Sequence, residues 1–391
     1  MPLALVALMI SAFGIGTTEF VINGLLPDLS AEFGVSIPTA GLLVSGYAFG
    51  VFVGAPVLTI LGNRLSRKKM LLLLMVVFIA GNLLSAMATT YGALMAGRIV
   101  SSFAHGAFFG VGSVVAANLV APRKRAQAIA MMFTGLTVAN VVGVPVGTLL
   151  GQNFGWQSAF WAVVAIGVIG LAGVAALVPA DRPDAERPAL RTEFRVFARP
   201  QVWMALAMTV LGFAPAFTVL TFIAPMATEV AGFSASAVPI LVGLFGVGVV
   251  VGNLIGARLA DRALMPSLYA ILIALIVISV AFLLAAHSQV AFVIAILAFG
   301  VAAFATVPPL QTRVLDKAEG APTLASAVNI GAFNLGNAIG PFLGGLVIQA
   351  GFGYTATAWV AALLGVAGLT VALVSGAMDR RSIRIPEPAL V

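Results

Sequence analysis

The sequence predicts an all-α integral membrane protein of twelve transmembrane helices, arranged as two six-helix bundles with both termini cytoplasmic. Three observations lead there: a composition too apolar for water, charge-free runs of membrane-spanning length, and an internal repeat. Of 391 residues, 61% are hydrophobic and only 8% are charged, and the mean hydropathy is +1.13. A soluble chain carries about 25% charged residues, so most of this one must be solvated by lipid. There is no cysteine, which excludes disulfides, iron–sulfur clusters and thiolate chemistry, and the two histidines, His105 and His287, lie far apart. No metal site and no cofactor are expected.

A membrane helix needs about 20 mostly apolar residues. Residues 1–27 hold one charge, Glu19, and 33–63 hold none. Residues 70–122 hold one, Arg98, and 126–180, 200–228, 230–257, 263–312 and 320–378 hold none. The four longest runs carry turn signals near their midpoints, at 89–92, 151–155, 287–289 and 351–353, and so contain two spans each. The sum is twelve. The first stretch has neither a basic leader nor a small-residue cleavage site and is read as a retained helix rather than a signal peptide. Continuous apolar runs, rather than alternation, favour helices over a membrane barrel.

Orientation follows from lysine and arginine. Nineteen of the twenty basic residues fall in the even-numbered loops, the linker and the tail; the exception is Arg98, inside a span. The net charge of +7 is therefore a topology signal, with contact to anionic membrane lipids as its further implication. It does not indicate nucleic-acid binding.

The chain repeats itself at a spacing of about 198 residues. VFVGAPVLTILGNR at 51–64 aligns with VVVGNLIGARLADR at 249–262, pairing Gly54 with Gly252, Asn63 with Asp261 and Arg64 with Arg262. Pro27, Gly34 and Ser36 match Pro225, Gly232 and Ser234, and Asn140-x-x-Gly143-x-x-x-Gly147 matches Asn337-x-x-Gly340-x-x-x-Gly344. The expected organisation is an N-terminal bundle over 1–178, a cytoplasmic linker over 179–200, a C-terminal bundle over 201–378 and a tail over 379–391. Two such halves enclose a cavity about an axis along the membrane normal and rock around it.

These residues resemble the major facilitator superfamily over essentially the whole chain. TILGNRLSRKK at 59–69 is similar to its cytoplasmic signature between helices 2 and 3: Arg64, Arg67 and Lys68 match, whereas Asn63 replaces the aspartate that serves as a gating charge, a charge retained at Asp261 in the second half. Arg98-x6-His105-Gly106 is similar to the helix-4 motif with its buried arginine. Gly135-x7-Gly143-Val144-Pro145-Val146-Gly147 is similar to the helix-5 motif of proton-coupled antiporters. GIGTTEFVINGLLPDLS and SSFAHGAFFGVGS resemble the drug:proton antiporter group, and within it sugar-efflux, arabinose-export and chloramphenicol-resistance permeases. The resemblance implies a monomer in the bacterial inner membrane that exports a small molecule.

Glu19 and Arg98 are the one acid and the one base expected within spans. A charge at membrane depth costs roughly 2.5 kcal/mol or more, so it faces a cavity and finds a partner. If span 1 ends near Pro27, both lie roughly 10–12 Å below the outer boundary and approach each other. A carboxylate alternating between a low-dielectric pocket and an arginine changes its proton affinity, as proton coupling requires; the alternative is a permanent ion pair locking helices 1 and 4. His105, two turns from Arg98, would relay a proton, bond a substrate hydroxyl, or simply bond a neighbouring helix. Asn23, Asn140, Asn334, Asn337, Phe109 and Phe217 are candidate cavity residues; interhelical hydrogen bonding is the competing role for the amides, and lipid contact for the aromatics. Asn329, Gln311, Phe103, Phe108, Phe213 and Phe304 are weaker candidates. Gly143, Pro145 and Gly147 read as packing and bending elements.

The sequence holds no Walker motif, so a proton gradient is the expected driver. The expected activity is proton-coupled export of a small neutral or amphipathic compound, with no enzymatic chemistry. A proton-linked importer or uniporter is the rival within transport. An intramembrane enzyme would need a cluster of Asp, His or Ser that the spans do not offer.

Overall fold

A computed structural model describes residues 2–61, 65–180, 195–319 and 322–383. Among these, twelve helices are long and apolar enough to cross a membrane. They are α1 Leu3–Phe33, α2 Ile37–Leu58, α3 Arg67–Ala86, α4 Tyr91–Asn118, α5 Gln127–Phe154, α6 Gln157–Leu177, α7 Pro200–Leu220, α8 Ala235–Arg262, α9 Leu264–Ala285, α10 Gln289–Lys317, α11 Leu324–Phe352 and α12 Ala356–Arg380. The expected count and order therefore hold. Asn63, Arg64 and positions 181–194 of the expected linker lie outside the described residues.

Two boundaries differ from expectation. Helix α1 does not stop at Pro27 but continues to Phe33. Its end is set by Gly34 at φ 61°, whose N–H and that of Val35 close back on Ala31 and Ser30, a glycine-terminated C-cap. Glu19, the seventeenth of the 31 residues of α1, is thus about 21 Å from its Phe33 end, near the middle of the helix rather than the expected 10–12 Å from that end. At the other end of the chain, helical structure runs to Ile383 rather than to 378.

Helix α10 is broken at Thr306, between a first piece ending at Ala305 and a second piece beginning at Val307. Pro308 and Pro309 supply no backbone N–H, and their rings crowd the carbonyls one turn earlier. The second piece is tied to α12: Arg313 and Lys317 each lie 2.7 Å from an oxygen of Asp379.

The repeated glycines occupy corresponding seams. In the first half, a Cβ on Gly54 of α2 would stand 2.7 Å from the Cα of Phe103 in α4; in the second, one on Gly252 of α8 would overlap the Val301 carbonyl oxygen in α10. Likewise Gly143 of α5 faces Phe13 and Thr17 of α1, while Gly340 of α11 faces Ala214 and Thr218 of α7. Along α5, Gly135, Gly143, Gly147 and Gly151 meet Met9, Thr17, Val21 and Leu25 in turn, so α1 lies along a glycine groove. Without a hydrophobic drive between helices in lipid, this close approach is the source of their attraction.

The two halves touch along α2 and α11, from Pro38 against Gly345 at the ends remote from the basic loops to Phe52 against Gly331. Ser45 of α2 donates to the Ala338 carbonyl of α11 at 2.9 Å, and Gln152 of α5 donates to the Ala235 carbonyl of α8 at 3.0 Å. Between them, Gly243 receives Pro145, and Gly246 receives the backbone of Asn140 and Val141. At that contact α5 widens into a π-helical turn over Ala139–Gly143, immediately before Pro145.

Gly54→Ala and Gly252→Ala are each expected to lower stability by about 1–3 kcal/mol, the cost of overpacking. The measurement is the thermal midpoint of detergent-purified protein. Gly92→Ala, where nothing lies within 4 Å of the added methyl, should leave the midpoint unchanged.

Candidate functional site

The buried polar groups of the first bundle converge at mid-depth. The side chain of Arg98 is wholly buried. Its Nη1 donates to the Thr18 carbonyl, its Nη2 lies 3.5 Å from the Glu19 carbonyl, and its guanidinium stacks 4.2 Å from the ring centre of Tyr47. The Glu19 carboxylate turns elsewhere: Oε2 lies 3.9 Å from Nδ1 of His105. The same Nδ1 is 3.2 Å from the Tyr47 hydroxyl. Thr18 adds a 2.6 Å hydrogen bond to Asn82 Oδ1. Helices α1, α2, α3 and α4 thus share one polar cluster.

Arg98 and Glu19 do approach each other, as expected, but through the Glu19 carbonyl; the alternative of an ion pair between their side chains is not formed in this arrangement. Arg98 instead holds the backbone of α1, at the very residue whose side chain it was expected to meet. The short carboxylate reaches α4 near His105, two turns along from Arg98. A guanidinium is a planar fork of donors and suits adjacent carbonyls, so its charge is dispersed by dipoles and an aromatic face rather than cancelled. Tyr47, Thr18 and Asn82 were not among the sequence candidates. Their signal was there: each is a polar group in an apolar run.

The second bundle presents aromatic rings to this cluster. Phe20, next to Glu19, lies 5.2 Å from Phe217 and 6.5 Å from Phe304 between ring centres. Phe213 links Phe217, Phe304 and Phe333. Phe109 belongs to the other flank, 5.3 Å from His105 and stacked on Phe133. Phe108 is fully buried within the first bundle, and Phe103 fills the seam at Gly54, so these two serve packing rather than a cavity.

The amides divide by their partners. Asn329 donates to Gln311 at 2.7 Å, a link between α11 and α10. Asn140 and Asn334 donate only back to their own helices, to Leu136 and Ile330, so the interhelical role expected of Asn140 is not seen. Neither polar atom of Asn23 has a hydrogen-bond partner, and Oδ1 of Asn334 and of Asn337 is also unpartnered. Asn23 and Asn140 line a small cavity of about 10 Å³, room for a single water, with Phe20, Val144, Leu220, Val242 and Phe245. Asn23 and Asn337 each stand four residues before a proline, Pro27 and Pro341, so each backbone carbonyl also loses its normal helical donor.

The basic ends carry the remaining motif residues. Lys68 donates to the Ala175 carbonyl at 2.7 Å, a cation at the C-terminal turn of α6. Arg67 opens α3, and Asp261 and Arg262 close α8 as exposed side chains.

A profile of the Major Facilitator Superfamily matches residues 8–331. The chain belongs to that superfamily. It is 47% identical over 370 residues to the inner membrane transport protein YdhP of Escherichia coli K12, covering 95% of this chain and 94% of that one. It is 35% identical over 375 residues to a chloramphenicol resistance protein of Streptomyces lividans, covering 95% and 96%. A crystal structure of a bacterial homolog of the human lysosomal transporter Spinster, inward-facing and unoccupied, superposes with a TM-score of 0.74 at 18% identity over 98% of both chains. The protein is therefore a multi-pass secondary transporter of this superfamily and not an enzyme.

The geometry gives Arg98 and Glu19 separable roles. Arg98→Ala is expected to lower thermal stability strongly, by about 1.5–3 kcal/mol for each charge-assisted hydrogen bond lost. Glu19→Gln, which keeps shape and leaves the backbone carbonyls in place, should cost clearly less than Arg98→Ala. Equal losses in paired unfolding curves would restore the direct ion pair.

Proposed function

We propose that the protein is a proton-coupled exporter of small, neutral or amphipathic organic molecules. Glu19 is the proton carrier in this reading, and its placement against His105 is the observation that carries it. A titratable carboxyl beside a second titratable group, with a guanidinium one carbonyl away, has alternative partners in alternative conformations. Rocking of the halves would exchange those partners and so exchange the proton. Arg98 acts as a positioning residue for α1, and Tyr47 orients the His105 ring.

The substrate reading rests on the aromatic group around Phe20 and Phe217 and on the unpartnered amide oxygens of Asn23, Asn334 and Asn337. Together they offer stacking faces and hydrogen-bonding heads without a net charge, which suits a neutral aromatic or polyhydroxylated compound. The printed name of the Streptomyces relative, a chloramphenicol resistance protein, supports a compound of that kind and export as the direction. The basic loops are assigned to the cytoplasm and the closed ends to the far side, in the inner membrane of a bacterium, with the monomer as the working unit. In this assignment Asp261 and Arg262, with Arg67 and Lys68, belong to the cytoplasmic gate.

The test is proton release from purified protein in weakly buffered detergent, titrated with chloramphenicol and with small sugars. Release on substrate addition is expected in the wild type and should vanish in Glu19→Gln while binding persists. Binding without release in the wild type would remove proton–substrate competition at Glu19 and leave uniport.

A further inference from the structure

On the lipid face of the second bundle, α9 stands away from α8 and α10. The gap is a cavity of about 500 Å³ lined only by apolar side chains, among them Ile255 and Leu259 of α8, Ala274 and Ile278 of α9, and Ile294 and Val301 of α10. Along α10 it extends from Ile294 to Ala305, about 16 Å at 1.5 Å per residue. Half of a 30 Å hydrocarbon core is about 15 Å, so the groove is one leaflet deep.

The gap has a cause in the sequence. In the first half α3 closes tightly on α4, because Gly81 and Gly97 admit the backbones of Ser101 and Ser85. At the repeat spacing of 198, Ser279, Ala295 and Phe299 stand in place of Gly81, Gly97 and Ser101. Phe299 is buried and packs edge-on against Phe282 of α9, 6.1 Å between centres. The aromatic spacer holds α9 off where glycines would draw it in.

At its basic end the groove meets charge. Arg258 and Arg262 lie three and seven residues along α8 from Ile255, on the same helix face, and both are exposed. No hydrogen bond or ion pair to another described residue occupies either guanidinium. Their one acidic neighbour on this helix end is Asp261, so the site has a surplus of positive charge at the level of lipid headgroups, where each basic side chain is worth about 1 kcal/mol against an anionic surface.

We propose that this groove is a specific site for an anionic glycerophospholipid, with one acyl chain lying between α9 and the α8–α10 pair and the phosphate held by Arg258 and Arg262. The acyl chain supplies the packing that α9 lacks against its neighbours. The headgroup supplies the anion that the two arginines lack.

Native mass spectrometry of the full chain in a mild detergent tests this, with phosphatidylglycerol and phosphatidylcholine of identical acyl chains as probes. One tightly held phosphatidylglycerol is expected, bound at least tenfold more tightly than phosphatidylcholine. The double variant Arg258→Gln/Arg262→Gln should bring the two lipids to equal affinity. Ala274→Trp, which fills the groove from an exposed position, should weaken both lipids several-fold while the protein stays monodisperse. Equal binding of the two lipids by the wild type, or a phosphatidylglycerol preference that survives the double variant, overturns the headgroup assignment. Displacement by glycerol phosphate without acyl chains overturns the groove.

Discussion

A charged guanidinium in the middle of an apolar bundle persists only if its own surroundings replace the water it has lost. Arg98 meets that condition with the backbone of α1 and the face of Tyr47. Much of the first bundle follows from this contact. For Arg98 to reach carbonyl oxygens rather than a side chain, α1 must lie close to α4 and keep a fixed depth. The glycine groove of α5 holds α1 at that position from Met9 to Leu25. The cap at Gly34 ends α1 beyond the level of Pro27 and leaves Glu19 near the middle of the helix.

That arrangement separates two jobs that one ion pair would have merged. Had Glu19 neutralised Arg98 directly, protonating the carboxylate would have stranded a buried cation, at a cost of several kcal/mol. Because both Nη groups of Arg98 are held by carbonyls and its face by an aromatic ring, the proposed change of partner and protonation at the carboxylate would not release α1 from α4. In the proposed mechanism a structural tie and a labile carboxyl then coexist within one cluster. His105 stands beside the Glu19 carboxylate, and Tyr47 bridges the two parts, its ring on Arg98 and its hydroxyl against His105.

Much of this was legible in the sequence. Charge-free runs gave the spans, since lipid leaves few alternatives to an uninterrupted helix. The repeat predicted which glycines would do equivalent work, and Gly54 with Gly252, and Gly143 with Gly340, do sit in corresponding seams. What was not legible depended on rotation and reach. Glu19 and Arg98 were correctly singled out as buried charges, but a side chain's target is set by helix rotation, which composition does not encode. Tyr47 escaped notice because a tyrosine in an apolar run reads as an aromatic until its hydroxyl is seen against His105. The end of α1 was misjudged because Pro27 was read as a stop, whereas a membrane helix accommodates proline within it.

The prolines inside the helices have a consequence beyond bending. Each leaves the carbonyl four residues earlier without its helical donor, and at Pro27 and Pro341 that residue is a buried asparagine with an unpartnered side-chain oxygen. Unsatisfied polar groups are expensive in a dry interior, and a fold that needed only a bend could have placed alanine there. Two such sites, on α1 and α11 in opposite halves, concentrate unused hydrogen-bonding capacity where the bundles face each other. A polar ligand or a water occupying them would recover that cost. If the proposed substrate binds there, the bundle is less stable empty than filled, which is the energetic condition for a binding site to drive a change of state.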